Sequence, residues 1–301
     1  MAQPKVSICI PGYNRPAFLH WTIERLVRDF PKAEIIVSDD GSTEDMARAR
    51  EHCEFYGIRW IDQGHIGPFP NMLAALEAAT GDYAIYCAND DYLLPDAVFR
   101  AIRYMEVHKE IASYTAPCEV WDEVNQKPLW DNWTAPEAHT FDKFDGMALF
   151  NFIIGKHVWP EHVIHRTPLA LKRRGREYWA FADIPDILQR GAMHFSPEPF
   201  YRNLLIHPVG MRVQLGNEQA LTHFDEYRGG LEVMACGLMG DKLPYKARSH
   251  INRMIQSFIC TRLSCAQRLY AQAGFEWEAE RIRQRLAIAD PRDDITQTEA
   301  A

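Results

Sequence analysis

The sequence predicts an α/β protein, a mostly parallel sheet flanked by helices and followed by a C-terminal helical extension. Three observations carry this. Short apolar runs alternate with segments of helical periodicity through the N-terminal third, the pattern of repeated βαβ units. Those runs carry few charges, as expected where crossover helices cover both faces of a sheet. From Gly229 onward, apolar residues recur at three- and four-residue spacing.

In chain order, the expected pairs are a strand at 6–11 with a helix at 17–27, then 34–38 with 43–56, 58–62 with 71–79, and 83–87 with 96–107. Pro16, Pro70 and Pro95 occupy helix-start positions, where a missing N–H costs least. Ser42 or Thr43, ahead of Glu44 and Asp45, reads as an N-cap before an acidic first turn. After Glu110 the regularity fails. Residues 118–140 are rich in Trp, Pro, Asp and Asn and read as strands joined by a long loop, of the kind that often serves as a binding element. A helix at 143–154, a strand at 162–165 and a helix at 184–189 complete this second part. The tail carries the stripe Ile251, Ile255, Phe258, Ile259, Leu263 and Leu269, and beyond Asp290 it reads as frayed. The expected division is 1–110, 111–228 and 229–301.

The 301 residues, 47% apolar and 25% charged, have the composition of an ordinary globular chain and exclude disorder as the default. Lys plus Arg number 33 against 41 Asp plus Glu, a formal charge of -8, which argues against a general nucleic-acid binder. No apolar run approaches the roughly 18 residues of a membrane span. No signal peptide precedes the first strand, so a cytoplasmic protein is expected. Seven cysteines without a CxxC spacing read as reduced and structural.

Open parallel sheets bind ligands at the carboxyl ends of their strands. Here those ends read Pro11-Gly12-Tyr13-Asn14-Arg15, Asp39-Asp40-Gly41-Ser42, Asp62-Gln63-Gly64 and Asn89-Asp90-Asp91. Neither GxGxxG nor GxxxxGK[ST] occurs, which removes the dinucleotide-dehydrogenase and P-loop readings. Carboxylates on a rim repel a diphosphate unless a hard divalent cation lies between them, so a metal-nucleotide is the natural ligand.

The Asp-Asp-Gly-Ser after the second strand, combined with the Asp-Asp after the fourth, resembles the inverting family 2 glycosyltransferases with a GT-A fold, over roughly residues 5–201. Further matches are the opening strand through Tyr13-Asn14, the Gly-rich turn from Gly64 to Asn71, and Asp90-Asp91-Tyr92-Leu93-Leu94-Pro95, which is similar to the metal-binding DXD segment. Ala88-Asn89-Asp90 aligns with that triplet, so its first aspartate is missing. The resemblance implies a nucleotide-sugar-binding part at 1–110 and an acceptor-binding part at 111–228. Pro11, Tyr13, Asn14, Asp39, Asp40, Asn71 and Asn89 are then expected at the nucleotide. Asp90 and Asp91, with His207 as a further metal or phosphate ligand, are expected at Mn2+ or Mg2+.

Phe181-Ala182-Asp183 and Ser196-Pro197-Glu198-Pro199 resemble the family's Glu-Asp helix start and Pro-Glu-Pro strand, with Ala182 in place of the usual Glu. By that match Asp183 is the general base that takes a proton from the acceptor hydroxyl, with Asp186 in reserve. The implied function is transfer of a sugar, with inversion, from a nucleotide diphosphate sugar, UDP-linked by preference, to a glycan or lipid-linked acceptor in bacterial surface polysaccharide assembly. A non-catalytic sugar-nucleotide-binding module and a sugar-nucleotide nucleotidyltransferase are the alternatives.

Other features have plainer readings. Asp39 to Ser42 alone suits a turn, and Asp183 an N-cap. His162 and His165 point to opposite faces of a strand and do not suit one ion. Lys172-Arg173-Arg174-Gly175-Arg176 is a solvated face or a contact for anionic lipid. Trp130, Trp133 and Trp159 suit either a core or sugar stacking. The tail stripe must pack on the catalytic part, pair with another subunit in a homodimer, or lie peripherally on the inner face of the membrane; periodicity does not choose.

Overall fold

The computed structural model describes residues 4–168, 177–210, 224–240 and 243–289. The basic cluster at 172–176, Lys242 and the tail beyond 289 lie outside them. The chain divides into two compact units, one of 1–144, 159–173 and 186–212, the other of 145–158, 174–185 and 213–301.

In the first unit, β1 (Val6–Gly12), β2 (Glu34–Asp39), β3 (Arg59–Asp62) and β4 (Tyr83–Tyr86) alternate with α1 (Pro16–Asp29), α2 (Ala47–Phe55) and α3 (Pro68–Glu77). There follow β5 (Tyr92–Leu93), α4 (Pro95–Val107), β6 (Ile111–Thr115), β7 (Cys118–Asp122), β8 (Lys127–Asp131) and β9 (His139–Phe141). After α5 (Gly146–Gly155) of the second unit come β10 (Val163–Arg166), β11 (Ala192–Phe195) and β12 (Tyr201–Ile206). One sheet runs β3-β2-β1-β4-β10-β6-β11-β9 and a smaller one β5-β12-β7-β8. The first four strands are mutually parallel, and β10 lies antiparallel to both β4 and β6.

The alternation along each strand shows why the runs are apolar throughout. Ile8, Ile10, Val37 and Ile85 share one core with Leu19 and Ile23 of α1, Cys53 of α2 and Val98 of α4. Cys9, Ile36 and Ala84 alternate with them and are equally buried, on the face that α3 covers with Met72, Leu73 and Leu76. Each fully buried Ile or Leu contributes roughly 1.5–3 kcal/mol. Strands β1 to β3 step outward in order, and the chain then returns past β1 to place β4. A right-handed crossover in the reverse direction must use the opposite face, so α3 changes sides and a crevice opens between the carboxyl ends of β1 and β4.

Helix α2 begins at Ala47, four residues later than the sequence pattern suggests. The Thr43 and Glu44 N–H groups are taken by Asn14 Oδ1 at 2.9 and 3.1 Å, and the Ser42 hydroxyl by Asp39, so no N-cap forms there. The segment 118–140 folds as the β7–β8 hairpin and edge strand β9. Trp133 and Trp159 are core residues, and Trp130 is half exposed.

The second unit holds α5, α6 (Trp179–Ala182), the start of α7 (Ile184–Leu188), α8 (Phe224–Met239), α9 (Tyr245–Gln272) and α10 (Glu276–Ala289). Ile251, Ile255, Phe258, Ile259 and Leu263 of α9 are buried, and α9 packs on α5, α8 and α10 of this same unit. Gly146 and Gly237 permit close approaches here: a Cβ would lie 2.5 Å from the Leu238 carbonyl oxygen and 2.5 Å from Pro185 Cγ, respectively. No helix among the described residues is long and apolar enough to cross a membrane.

Candidate active site

The rim of the large sheet is built by turns that tie strand ends to one another. At β1, Asn14 and Arg15 both adopt left-handed backbone, φ 55° and 59°. Asn14 donates its N–H to Ser42 Oγ at 2.6 Å while its side chain holds the loop after β2. At β2, Asp39 bonds the Ser42 hydroxyl and lies 3.8 Å from Arg50. Asp40 is buried, and its carboxylate accepts the N–H groups of Ile66 (2.6 Å) and Gly67 (3.0 Å), which fixes the turn into α3.

Asn71, on α3, is buried under both strands. Its Nδ2 donates to the Ser38 carbonyl at 2.9 Å and the Gly12 carbonyl at 3.3 Å, and its Oδ1 accepts from Ser38 Oγ at 2.7 Å. Asn71 thus cross-links the rim from beneath. Asn71→Ala is expected to lower unfolding stability by about 2–3 kcal/mol, because two strand-end carbonyls lose a donor in a buried setting. Denaturant unfolding checks this, and an unchanged midpoint would contradict the cross-linking role.

Between β1 and β4, at the crevice, Asp90 is 1% exposed and its Oδ2 accepts Arg15 Nη1 at 2.9 Å. The backbone around it is anchored from below, since Thr22 Oγ1 of α1 donates to the Asn89 carbonyl at 3.0 Å. Asp91 faces β12. Its carboxylate accepts Tyr201 Oη (2.9 Å), Leu204 N–H (3.0 Å) and Asn203 Nδ2 (3.2 Å), and Tyr201 Oη in turn accepts the Ala88 N–H at 2.9 Å. Burial, and after it the Asp91 charge, push the Tyr201 phenol far above its ordinary pKa, so it remains a proton donor.

His207, just past β12, is buried against Phe18 and Trp21 with ring centroids 4.7 and 4.5 Å away. Its Nδ1 accepts the Val209 N–H at 3.1 Å, so the neutral ring carries its proton on Nε2 and offers a donor rather than a metal-binding lone pair there. Tyr13 and His65 stand at the rim with rings 4.9 Å apart, both substantially exposed.

The strand ends thus bring together Pro11, Tyr13, Asn14, Asp39, Asp40, Asn89, Asp90 and Asp91 on one rim, with Asn71 of α3 beneath it. Asp183 and Asp186 fall in different units. Asp183 is buried and closes α6 as its C-cap, with its N–H on the Trp179 carbonyl at 3.0 Å, directly ahead of α7. Helices α6 and α7 break at this residue. His162 packs on the Tyr201 ring at 3.8 Å and His165 meets Ser113 Oγ at 2.9 Å, so they share no ligand. Two participants go beyond what the sequence pattern assigns: Arg15, whose guanidinium meets Asp90, and Tyr201, the polar aromatic two residues after the Pro-Glu-Pro.

A hard divalent cation fits this donor set. Such ions are commonly held by one or two carboxylates plus substrate phosphates, and the buried Asp90 carboxylate already draws a positive group, the Arg15 guanidinium.

Residues 7–168 match the family model described as glycosyl transferase family 2. An uncharacterised glycosyltransferase of Rickettsia felis is 30% identical over 128 residues, 41% of this chain and 20% of that protein. A GalNAc(5)-diNAcBac-PP-undecaprenol β-1,3-glucosyltransferase of Campylobacter jejuni is 32% identical over 101 residues, 32% of this chain and 33% of that protein. The chain therefore spans a third or less of these relatives. Among solved structures, Staphylococcus aureus TarS 1–349 in complex with UDP-GlcNAc superposes with a TM-score of 0.59 at 13% identity, over 93% of this chain and 89% of that one. The mannosyltransferase PcManGT of Pyrobaculum calidifontis, in complex with GDP-Man and Mn2+, gives 0.57 at 14% identity, over 100% and 85%. At such identities these two likenesses speak for the fold, the GT-A architecture.

Proposed function

This chain belongs to glycosyl transferase family 2, and from that premise we propose that it transfers a sugar, with inversion, from a nucleotide diphosphate sugar to a hydroxyl acceptor. The observation that carries the reading is the rim at the switch between β1 and β4, where the buried Asp90 carboxylate meets Arg15 beside an exposed aromatic pair.

The chemistry divides among the chain's own residues. Tyr13 and His65 offer a stacking surface for the base, and Asp39 an acceptor for its polar edge or the ribose. Asn14, Asp40 and Asn71 act one step back, holding the turns in shape through backbone groups. Arg15 and the Nε2–H of His207 suit the diphosphate, since both donate to anionic oxygens. Asp90 would hold Mn2+ or Mg2+, with Asp91 fixing the turn that carries it. When bound, such an ion supplies positive charge against the departing diphosphate. Asp183 takes the acceptor's proton as that oxygen attacks the anomeric carbon from the side opposite the leaving group, which gives inversion.

UDP is the favoured carrier, as in the TarS complex, and an acceptor on a lipid diphosphate is favoured by the Campylobacter relative's name. Such an acceptor would bring the protein to the inner membrane face, in bacterial surface polysaccharide assembly. Ala88 and Ala182, each where the family often has a carboxylate, favour a second reading, nucleotide-sugar binding without transfer. Incubation with UDP-sugars, Mn2+ and undecaprenyl-diphosphate-linked glycans separates the two. Release of UDP that depends on acceptor is expected; saturable UDP-sugar binding without release would favour the second reading.

A further inference from the structure

On the facing sides of α1 and α2 lies a side-chain cluster that has no part in the rim chemistry. His20 and Glu24 stand one turn apart on α1, and His52 projects from α2. His20 Nε2 is 3.3 Å from Glu24 Oε1, and His20 Nδ1 is 2.6 Å from His52 Nδ1. One ligand atom from each of the three lies within 4.8 Å of the other two. The imidazoles are half-buried and Glu24 is exposed, so an ion can reach them from solvent.

The proton count at this cluster is restrictive. The Glu24 carboxylate lies beside His20 Nε2, and His20 Nδ1 faces His52 Nδ1. Two ring nitrogens 2.6 Å apart cannot both present lone pairs, and they cannot both present protons. One electrophile must lie between them, a single shared proton or a metal ion.

Zn2+ binds imidazole nitrogen and carboxylate oxygen at about 2.0–2.2 Å in a tetrahedron, which sets ligand atoms roughly 3.3 Å apart. That separation falls between the 2.6 Å His–His contact and the 4.8 Å outer limit of the cluster. Mg2+ and Ca2+ prefer all-oxygen sites and suit it poorly. We propose that His20, Glu24 and His52 form a binding site for a transition-metal ion of the Zn2+ class that clamps α1 to α2. Helix α1 starts at the Asn14–Arg15 turn and α2 follows the loop that Asn14 holds, so the clamp closes a ring of contacts behind the rim. The site is independent of the transfer reaction and survives if that reading fails.

The test measures Zn2+ binding to the full chain by competition with a chromophoric chelator, together with thermal unfolding with and without Zn2+. One ion per chain is expected, with a rise in Tm. His20→Ala and His52→Ala should each weaken Zn2+ at least tenfold and remove most of the Tm rise, and Glu24→Gln should weaken it by about tenfold. Asp90→Ala should keep both readouts, which separates this site from the rim. His52→Gln serves where His52→Ala does not fold. Unchanged Zn2+ affinity in the His20 and His52 variants, or no binding by the parent at micromolar Zn2+, would overturn the proposal.

Discussion

Asp90→Ala is expected to abolish sugar transfer, by at least about a hundredfold in kcat, and to remove the dependence of UDP binding on Mn2+. The magnitude follows from removing a group that stabilises charge appearing only as the diphosphate departs, where such losses reach about 10² to 10³. The buried Asp90 carboxylate accepts the Arg15 guanidinium at 2.9 Å, and its removal takes one negative charge from the crevice. Because Arg15 is itself 41% exposed, water takes over its solvation and the fold should persist. Circular dichroism and Tm close to the parent's establish that. Manganese-dependent UDP affinity equal to the parent's would refute the assignment of Asp90 to the cation.

The second large effect concerns the base. Asp183→Asn should lower kcat by about 10² to 10⁴ while leaving donor KM within a fewfold of the parent, since a positioned base contributes to the transition state and little to donor binding. The amide keeps the size and the hydrogen-bonding shape of the carboxylate at a residue that is 2% exposed. It cannot take a proton. Parental kcat in this variant would move the base elsewhere, with Asp186 next. Measuring both constants matters, because a loss through packing in the second unit would raise KM and lower Tm together.

Much of the first unit is legible from local pattern. The four βα pairs, the proline-led helix starts and the acidic strand ends all follow from short-range rules, and their elements lie within a few residues of expectation. The exception at Thr43 is instructive. Its N–H would have started a helix, but Asn14, 29 residues away in sequence, captures it. Periodicity cannot register a competitor from another strand end. The same limit applies to Asp183, where a residue legible as a helix start closes one short helix at the junction with the next.

By itself, the sequence determined that the sheet is mostly parallel over its first four strands, that its rim is acidic, and that the tail is helical with a buried stripe. These follow from side-chain period, from turn chemistry and from the free energy of burying apolar faces, all of which act between near neighbours in the chain. Only the tertiary structure decided which donors each carboxylate on that rim meets. Asp40 is committed to backbone N–H groups 26 and 27 residues on, and Asp91 to Leu204, 113 residues on, while Asp90 is drawn to Arg15 across the crevice. The physical reason is that a buried carboxylate must find donors, and those donors come from segments the fold brings close and the chain order keeps apart.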